Sequence, residues 1–233
     1  MKKNTLKREI KTTLDGSKTL FINELNEGYH SHNGALQEAE HVFIKNGINN
    51  IKNYEINILE LGFGTGLNAL VTINEYLKND KSHKINYFTL EKYPVTEGEI
   101  VELSYVKHFN FENSEKIYHE IHTLEWGKTH SILPNFSFTK FECDFFNLEN
   151  LDLPPIDLVY YDCFGAKVQP DLWEKPLFEM VKNKMRIGGL LTTYSSKGSV
   201  RRILKELNFE VTKLEGPKGK REMINAVLLN EGC

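Results

Sequence analysis

Four carboxylates stand at positions able to do chemistry, and the first of them arrives with glycines. Glu60-Leu61-Gly62-Phe63-Gly64-Thr65-Gly66 sets three glycines in five positions, directly after an apolar run over 56–61. Glycine there weakens the strand before it and the helix after it, so something must need the backbone bare. The G-x-G-x-G spacing is neither the dinucleotide G-x-G-x-x-G nor a phosphate loop, which carries a Lys-Ser/Thr pair. A nucleoside with an amino-acid tail fits better than a triphosphate, with backbone amides and Glu60 meeting the polar tail. A tight strand–helix turn without a ligand is the plain alternative.

Glu91 ends "YFTLEK", further from the loop than the ~20 residues of the dinucleotide fingerprint. A carboxylate at that strand end can accept from two ribose hydroxyls at once; its alternative is a solvated strand-end acid, and Lys92 beside it reads as surface. Asp144 ends "FSFTKFECD", where it can accept from an adenine amino group or simply belong to a loop. Asp162 follows the buried run of "LVYYDCFGAK" and must emerge at the rim of a sheet. A group placed there can take a proton or orient a nucleophile, or else cap a helix. The eight histidines form no H-x-x-x-H or similar set, so no metal is expected, and Tyr29-His30 and His32 read as loop structure. Phe145, Phe146 and Trp173 read as core or cofactor-wall aromatics.

Two basic stretches, "YSSKGSVRRILKE" and "EGPKGKREM", bring Lys197, Arg201, Arg202, Lys218, Lys220 and Arg221 toward one end of the chain's sheet. Lys167, Lys182, Lys184 and Arg186 can add to them. Arginine and lysine clustered beside a catalytic rim fit the phosphates of a polynucleotide, although solvated helix faces account for part of the pattern.

The elements that must position these groups alternate. "REIKTTLDGSKTLFINE" predicts a hairpin around Asp15-Gly16-Ser17, and "ALQEAEHVFIKNG" a helix closed by Gly47. From residue 56 the order is strand "INILEL", helix "GLNALVTINEYLKN", strand "KINYFTLEK", mixed helical material over 95–130, strand "FSFTKFECD" and strand "IDLVYYD". Helix "LWEKPLFEMVKNKM", strand "GGLLTTYSS", helix "SVRRILKELN" and the strands "FEVTKL" and "EMINAVLL" follow. Strand–helix alternation with apolar strands predicts a Rossmann-like, doubly wound, mostly parallel sheet covered on both faces, with an antiparallel hairpin at one edge. Residues 1–50 are expected to form a small hairpin-and-helix extension and 51–233 the main domain.

Composition sets bounds around this. With 233 residues, 40% hydrophobic, and a net charge of −3, the chain suits one large domain with a small addition. Cys143, Cys163 and Cys233 form no C-x-x-C pair, which speaks against a disulfide framework or zinc site and fits a reducing cytoplasm. "MKKNTLKREIKTTLDGSK" has a signal peptide's charge without an apolar stretch behind it. No run approaches the ~18 apolar residues of a membrane span, so no membrane association is expected. The closing "NEGC" reads as a loose tail.

Taken together, "HSHNGALQEAEHVF", "LELGFGTGLN", "LEKYP", "DCFGAKVQPDLW", "LFEMVKNKMRIGGLLTTYSSKGSVRRIL" and "KGKREM" resemble the tRNA 5-methylaminomethyl-2-thiouridine methyltransferase family of MnmC/MnmD type, from about residue 10 to 228. The resemblance implies a class I methyltransferase fold and methyl transfer from S-adenosylmethionine to the amine of 5-aminomethyl(-2-thio)uridine at the wobble position, with the tRNA anticodon region as partner. It places Glu60, Gly62, Phe63, Gly64, Thr65, Gly66, Asn68, Glu91, Lys92, Asp144, Phe145 and Asp162 at the cofactor, with Asp162 acting on the substrate amine. Phe164, Lys167, Trp173, Lys197, Arg201, Lys220 and Arg221 are expected to meet the substrate. Many bifunctional members read "D-G-F-A-P-A-K-N-P" where this chain reads "DCFGAKVQP", which bears on the fine substrate contacts. Nothing here encodes their flavin-dependent oxidase half, so methylation alone is expected. A small-molecule amine methyltransferase and a silent tRNA-binding module are the rival readings; the loop spacing disfavours a nicotinamide oxidoreductase.

Overall fold

A computed structural model describes residues 7–79 and 83–230; Cys233 and most of the "NEGC" tail lie outside the described residues, as do residues 1–6. β1 (Arg8–Thr12) and β2 (Lys18–Ile22) pair antiparallel around Gly16, whose φ of +84° suits a tight turn. A short β3 (Glu27–Gly28), which the sequence does not suggest, adds to β2. α1 (Ala35–Ala39) runs on into a wider π-helical turn over Glu40–Lys45 before the chain turns at Gly47.

The remaining strands form one eight-stranded sheet. β4 (Glu55–Leu61), α2 (Leu67–Lys78) and β5 (Lys84–Glu91) follow in turn. α3 (Glu97–Leu103) starts with a capping box, in which Thr96 and Glu99 satisfy each other's backbone amides. α4 (Ser114–Thr123) follows, then β6 (Thr129–Leu133), β7 (Phe136–Glu142), β8 (Ile156–Tyr161), α5 (Lys175–Lys184), β9 (Met185–Thr193), α6 (Gly198–Glu206), β10 (Phe209–Glu215) and β11 (Glu222–Leu228). The strand order is β10-β11-β9-β8-β4-β5-β7-β6. The five central strands are parallel, and the expected hairpin forms one edge. β6 is a correction: it pairs antiparallel with β7 and closes the other edge, where the sequence predicts mixed helical material up to residue 130. Its sequence, Thr-His-Ser-Ile-Leu, buries only Ile132 and so carries no strand periodicity.

Apolar residues cover both faces of the parallel strands; β8 is buried along its whole length. One core cluster joins α2 and the sheet to Leu20, Ala35, Val42, Phe43 and Ile48. The first fifty residues therefore share the main core as well as forming their own small sheet. Strand order reverses between β4 and β8, the place where an open α/β sheet leaves a crevice at its carboxyl ends.

Candidate active site

Register delivers the key residues to that crevice together. Leu61 pairs with Leu90 on one side and Tyr161 on the other, so Gly62, Glu91 and Asp162 leave the sheet side by side. The amides of Gly62 and Phe63 donate to the Leu90 carbonyl at 3.1 and 3.0 Å, and the Asp162 amide to Leu61 at 3.2 Å. Above them lies a cavity of about 590 Å³, within the ~300–1,000 Å³ usual for small-molecule sites.

The glycines turn out to serve the protein's own neighbours. Gly62 has a φ of +102°, and a Cβ there would sit 2.7 Å from the Asp162 carbonyl oxygen. At Gly64 it would press on Tyr29 at 3.1 Å. The loop is bare because a strand end and the N-terminal extension close on it, as well as because it faces a cavity.

Gly62, Phe63, Gly64, Thr65, Asn68, Glu91, Lys92, Asp144, Phe145, Asp162, Phe164 and Lys220 all line the cavity. Glu91 is nearly buried, and its two oxygens accept from the Gly64 amide (2.9 Å) and the Tyr93 amide (2.7 Å). Burial pushes its pKa up against those hydrogen bonds, so it braces the glycine loop as well as facing the cavity. Lys92 is no idle surface residue: it donates to Asp144 at 2.6 Å across the rim. Asp144 also accepts from the Phe146 amide at 3.0 Å. Partial burial pushes its pKa up, but Lys92 and that amide outweigh it and hold the carboxyl below its ordinary value.

Asp162 is at the floor. Its Oδ2 accepts from Asn68 Nδ2 at 2.7 Å, and burial pushes its pKa up to about 7, with Glu38 adding to the rise and Asn68 and Lys220 opposing it. Beside it, Tyr194 donates to the Cys163 carbonyl at 2.8 Å and lies 3.7 Å beneath the Lys220 ammonium. Lys220 in turn pairs with Glu38 at 2.5 Å.

Several expected contacts fall elsewhere. Glu60 is fully buried beneath the cavity, since residue 60 points into the α2 side of the sheet. Gly66 packs against His122. Trp173 is buried among Tyr161, Phe178 and Tyr194, and its indole donates to the Phe164 carbonyl at 2.7 Å; it shapes the wall from behind. Lys167, Lys197, Arg201 and Arg221 lie outside the cavity lining, and Arg221 instead borders an open groove with His41, Lys45 and Lys218.

Sequence reasoning missed the wall supplied by the extension: Tyr29, His30, Ser31, His32 and Glu38. The only signal was the "YHSHNGALQEAE" stretch, which reads as a loop leading into a helix. Arg8 fixes this wall by donating to the Tyr29 hydroxyl at 3.1 Å and pairing with Glu99 at 2.8 Å. Burial pushes the His30 pKa down to about 4, which keeps it neutral at pH 7. Among the described residues no cluster of three or more His, Cys, Asp or Glu could hold a metal ion, and no helix is long and apolar enough to cross a membrane.

Residues 140–229 match a sequence family described as S-adenosyl-L-methionine-dependent methyltransferase. The chain is 29% identical over 211 residues to the tRNA 5-methylaminomethyl-2-thiouridine biosynthesis bifunctional protein MnmC of Leptospira interrogans, covering 84% of this chain and 32% of that protein. It is 28% identical over 214 residues to the protein of the same name from Marinomonas sp., covering 86% and 31%. The chain thus spans about a third of the length of these relatives. The solved structure of MnmC2 from Aquifex aeolicus shares its fold over 97% of this chain and 72% of that one, with a TM-score of 0.77 and 24% identity.

Proposed function

We propose that this chain, a relative of the MnmC proteins with the fold of a class I S-adenosyl-L-methionine-dependent methyltransferase, methylates the primary amine of 5-aminomethyl(-2-thio)uridine at the tRNA wobble position. The product would be 5-methylaminomethyl(-2-thio)uridine. The observation that carries the reading is Asp162: a carboxylate on the cavity floor, beside the glycine loop, whose pKa is raised toward neutrality.

The cavity suits the cofactor. Phe63, Leu67 and Phe145 give it apolar walls, and Glu91 and Asp144 keep lone pairs after their hydrogen bonds to protein. When bound, the cofactor supplies a methyl group on a sulfonium centre. The chain's own residues must then present a neutral amine, because a protonated one has no lone pair. Asp162 orients the amine and takes its proton, and a base with a pKa near the working pH does this best. Asn68 holds the receiving carboxylate in place. Tyr194, Lys220 and Glu38 form the wall next to the reacting group, which is where a wobble base would enter.

The tRNA reading draws on charge. Lys197, Arg202 and Lys218 make no ion pair among the described residues. They follow β9 or lie in the β10–β11 loop, and the pairing of Ile224 with Thr193 brings that loop to the cavity end of the sheet. Unpaired cations at a catalytic mouth fit phosphate contacts. A tRNA substrate would also set the work in the cytoplasm.

The test incubates the chain with S-adenosylmethionine and tRNA rich in 5-aminomethyluridine, then weighs the nucleosides after digestion. A gain of one methyl on that nucleoside, absent with Asp162→Asn, is expected. Cofactor binding without any gain would discard the substrate and turn attention to small amines.

A further inference from the structure

Of the four acids singled out by sequence, Glu60 alone does not line the cavity, and it is 0% exposed. Its Oε2 accepts from Thr89 Oγ1 at 2.7 Å. Its Oε1, Asn68 Oδ1 and Tyr87 Oη are each buried without a hydrogen-bond partner. The three belong to one cluster: Asn68 and Tyr87 both lie beside the Glu60 carboxyl and each lowers its pKa, against the larger effect of burial. The titratable groups facing Glu60 are Tyr87, Tyr160 and Asp162, and none is a cation.

Two oxygens that can only accept cannot bond to each other. An ionised Glu60 would leave the Asn68 carbonyl oxygen orphaned and a full charge in an apolar interior, both costly. One proton on Oε1 removes the conflict. That atom then donates to Asn68 Oδ1, so each of these two oxygens gains a partner. The net direction of its pKa agrees: burial pushes Glu60 up to about 8, with the Asp162 charge adding to the rise, against the lowering by Thr89, Asn68 and Tyr87.

We propose that Glu60, held as a neutral acid, is a positioning residue for Asp162: it fixes the flip of the Asn68 amide so that Nδ2 faces the Asp162 carboxylate. With the amide reversed, Asn68 would present its carbonyl oxygen to a carboxylate, and the contact would repel. The acid of the glycine motif therefore serves the base and not the cofactor. Its second effect is on charge. The groups acting on Asp162 are Asn68, Glu38 and Lys220, while Glu60, Tyr87, Cys163 and Tyr194 sense it in return. A neutral Glu60 spares Asp162 a second negative charge below it.

This inference rests on Asp162 being the base, so its test includes a readout that needs no methyl transfer. Carboxyl-carbon NMR titration of the full chain is run on wild type, Glu60→Gln, Glu60→Leu and Asn68→Ala, with cofactor affinity and tRNA methylation measured alongside. A glutamate titrating well above its ordinary range is expected in wild type and absent from Glu60→Gln. The Asp162 resonance should shift its titration in Glu60→Leu and Asn68→Ala, and Glu60→Gln should restore it. Methylation should fall about 10- to 100-fold in Glu60→Leu and be largely recovered by glutamine, the size expected of a misplaced base. Cofactor affinity in Glu60→Leu should stay within about threefold, well under the tenfold that 1.4 kcal/mol represents. An ordinary Glu60 titration, an equal loss with glutamine, or a tenfold weaker cofactor would each overturn the proposal. Should Glu60→Leu not fold, Asn68→Ala and Glu60→Gln still decide. If no tRNA is methylated but the titrations behave as stated, the positioning stands and only the substrate reading fails.

Discussion

At the rim of the cavity Asp144 meets Lys92 in water; at its floor Asp162 meets the amide of Asn68. Both are aspartates at the carboxyl end of a parallel strand, yet their acidities move in opposite directions. The rim acid is about a third exposed and keeps its charge because a cation and a backbone amide stabilise it. The floor acid has lost most of its water and has a neutral donor in place of a cation, so it takes up a proton near pH 7. A permanent charge suits holding a ligand, and an adjustable one suits accepting a proton. Residue type did not assign these tasks; depth and partner did.

The largest expected effect falls on the floor. Asp162→Asn should lower the methylation rate about 10²- to 10⁴-fold, the usual range for a positioned base, with cofactor affinity little changed by calorimetry. A mutant with abolished cofactor affinity at ordinary concentration but normal turnover under saturation would reverse the contrast between floor and rim.

Next comes stability against pH. The folded state raises the Glu60 pKa from 4.5 to about 8, so between those values the folded chain holds a proton that the unfolded chain has released. This contribution is fully present below pH 4.5 and is lost as pH rises through 8. Thermal unfolding of wild type and Glu60→Gln should therefore diverge, the variant gaining several degrees relative to wild type between pH 5 and pH 9, on the scale of ~4 °C per kcal/mol or less for a chain this long. A constant difference across that range would mean Glu60 is ionised in the folded chain.

Glu38→Gln should act more gently and through charge alone, since glutamine can still accept from the Ser31 amide. Glu38 raises the Asp162 pKa and Lys220 lowers it, so losing the Glu38 charge moves the acid limb of the rate profile to lower pH. A shift upward would show that the Glu38 charge does not raise the Asp162 pKa.

The smallest effect belongs to the rim. Lys92→Met should change unfolding free energy by less than about 1 kcal/mol, because half-exposed pairs are screened. Denaturant titration measures this, and a larger loss would erase the difference between rim and floor.

Much of this was legible in the sequence. Alternating apolar strands and helical runs specify a mostly parallel sheet, and the glycine loop between β4 and α2 marks its working end. Local signals of this kind suffice because strand burial and helix periodicity are written in neighbouring residues. The edge strand β6 escaped because an edge buries little and leaves no pattern. Glu60 and Glu91 look alike in one dimension, each an acid in the last two residues of an apolar strand. The register of the folded sheet pairs Glu60 with Thr89. Glu91 therefore stands two residues further along on the same face, past the last paired residue of β4 and at the cavity, while Glu60 stays in the interior. Likewise Tyr29, His30 and Glu38 reach the site from far along the chain, since the extension packs into the main core. The sequence by itself determined most of the strands and helices and placed the candidate site at the carboxyl end of the parallel strands. The tertiary structure decided which acids keep their charge, because desolvation depends on what distant segments bring to cover them.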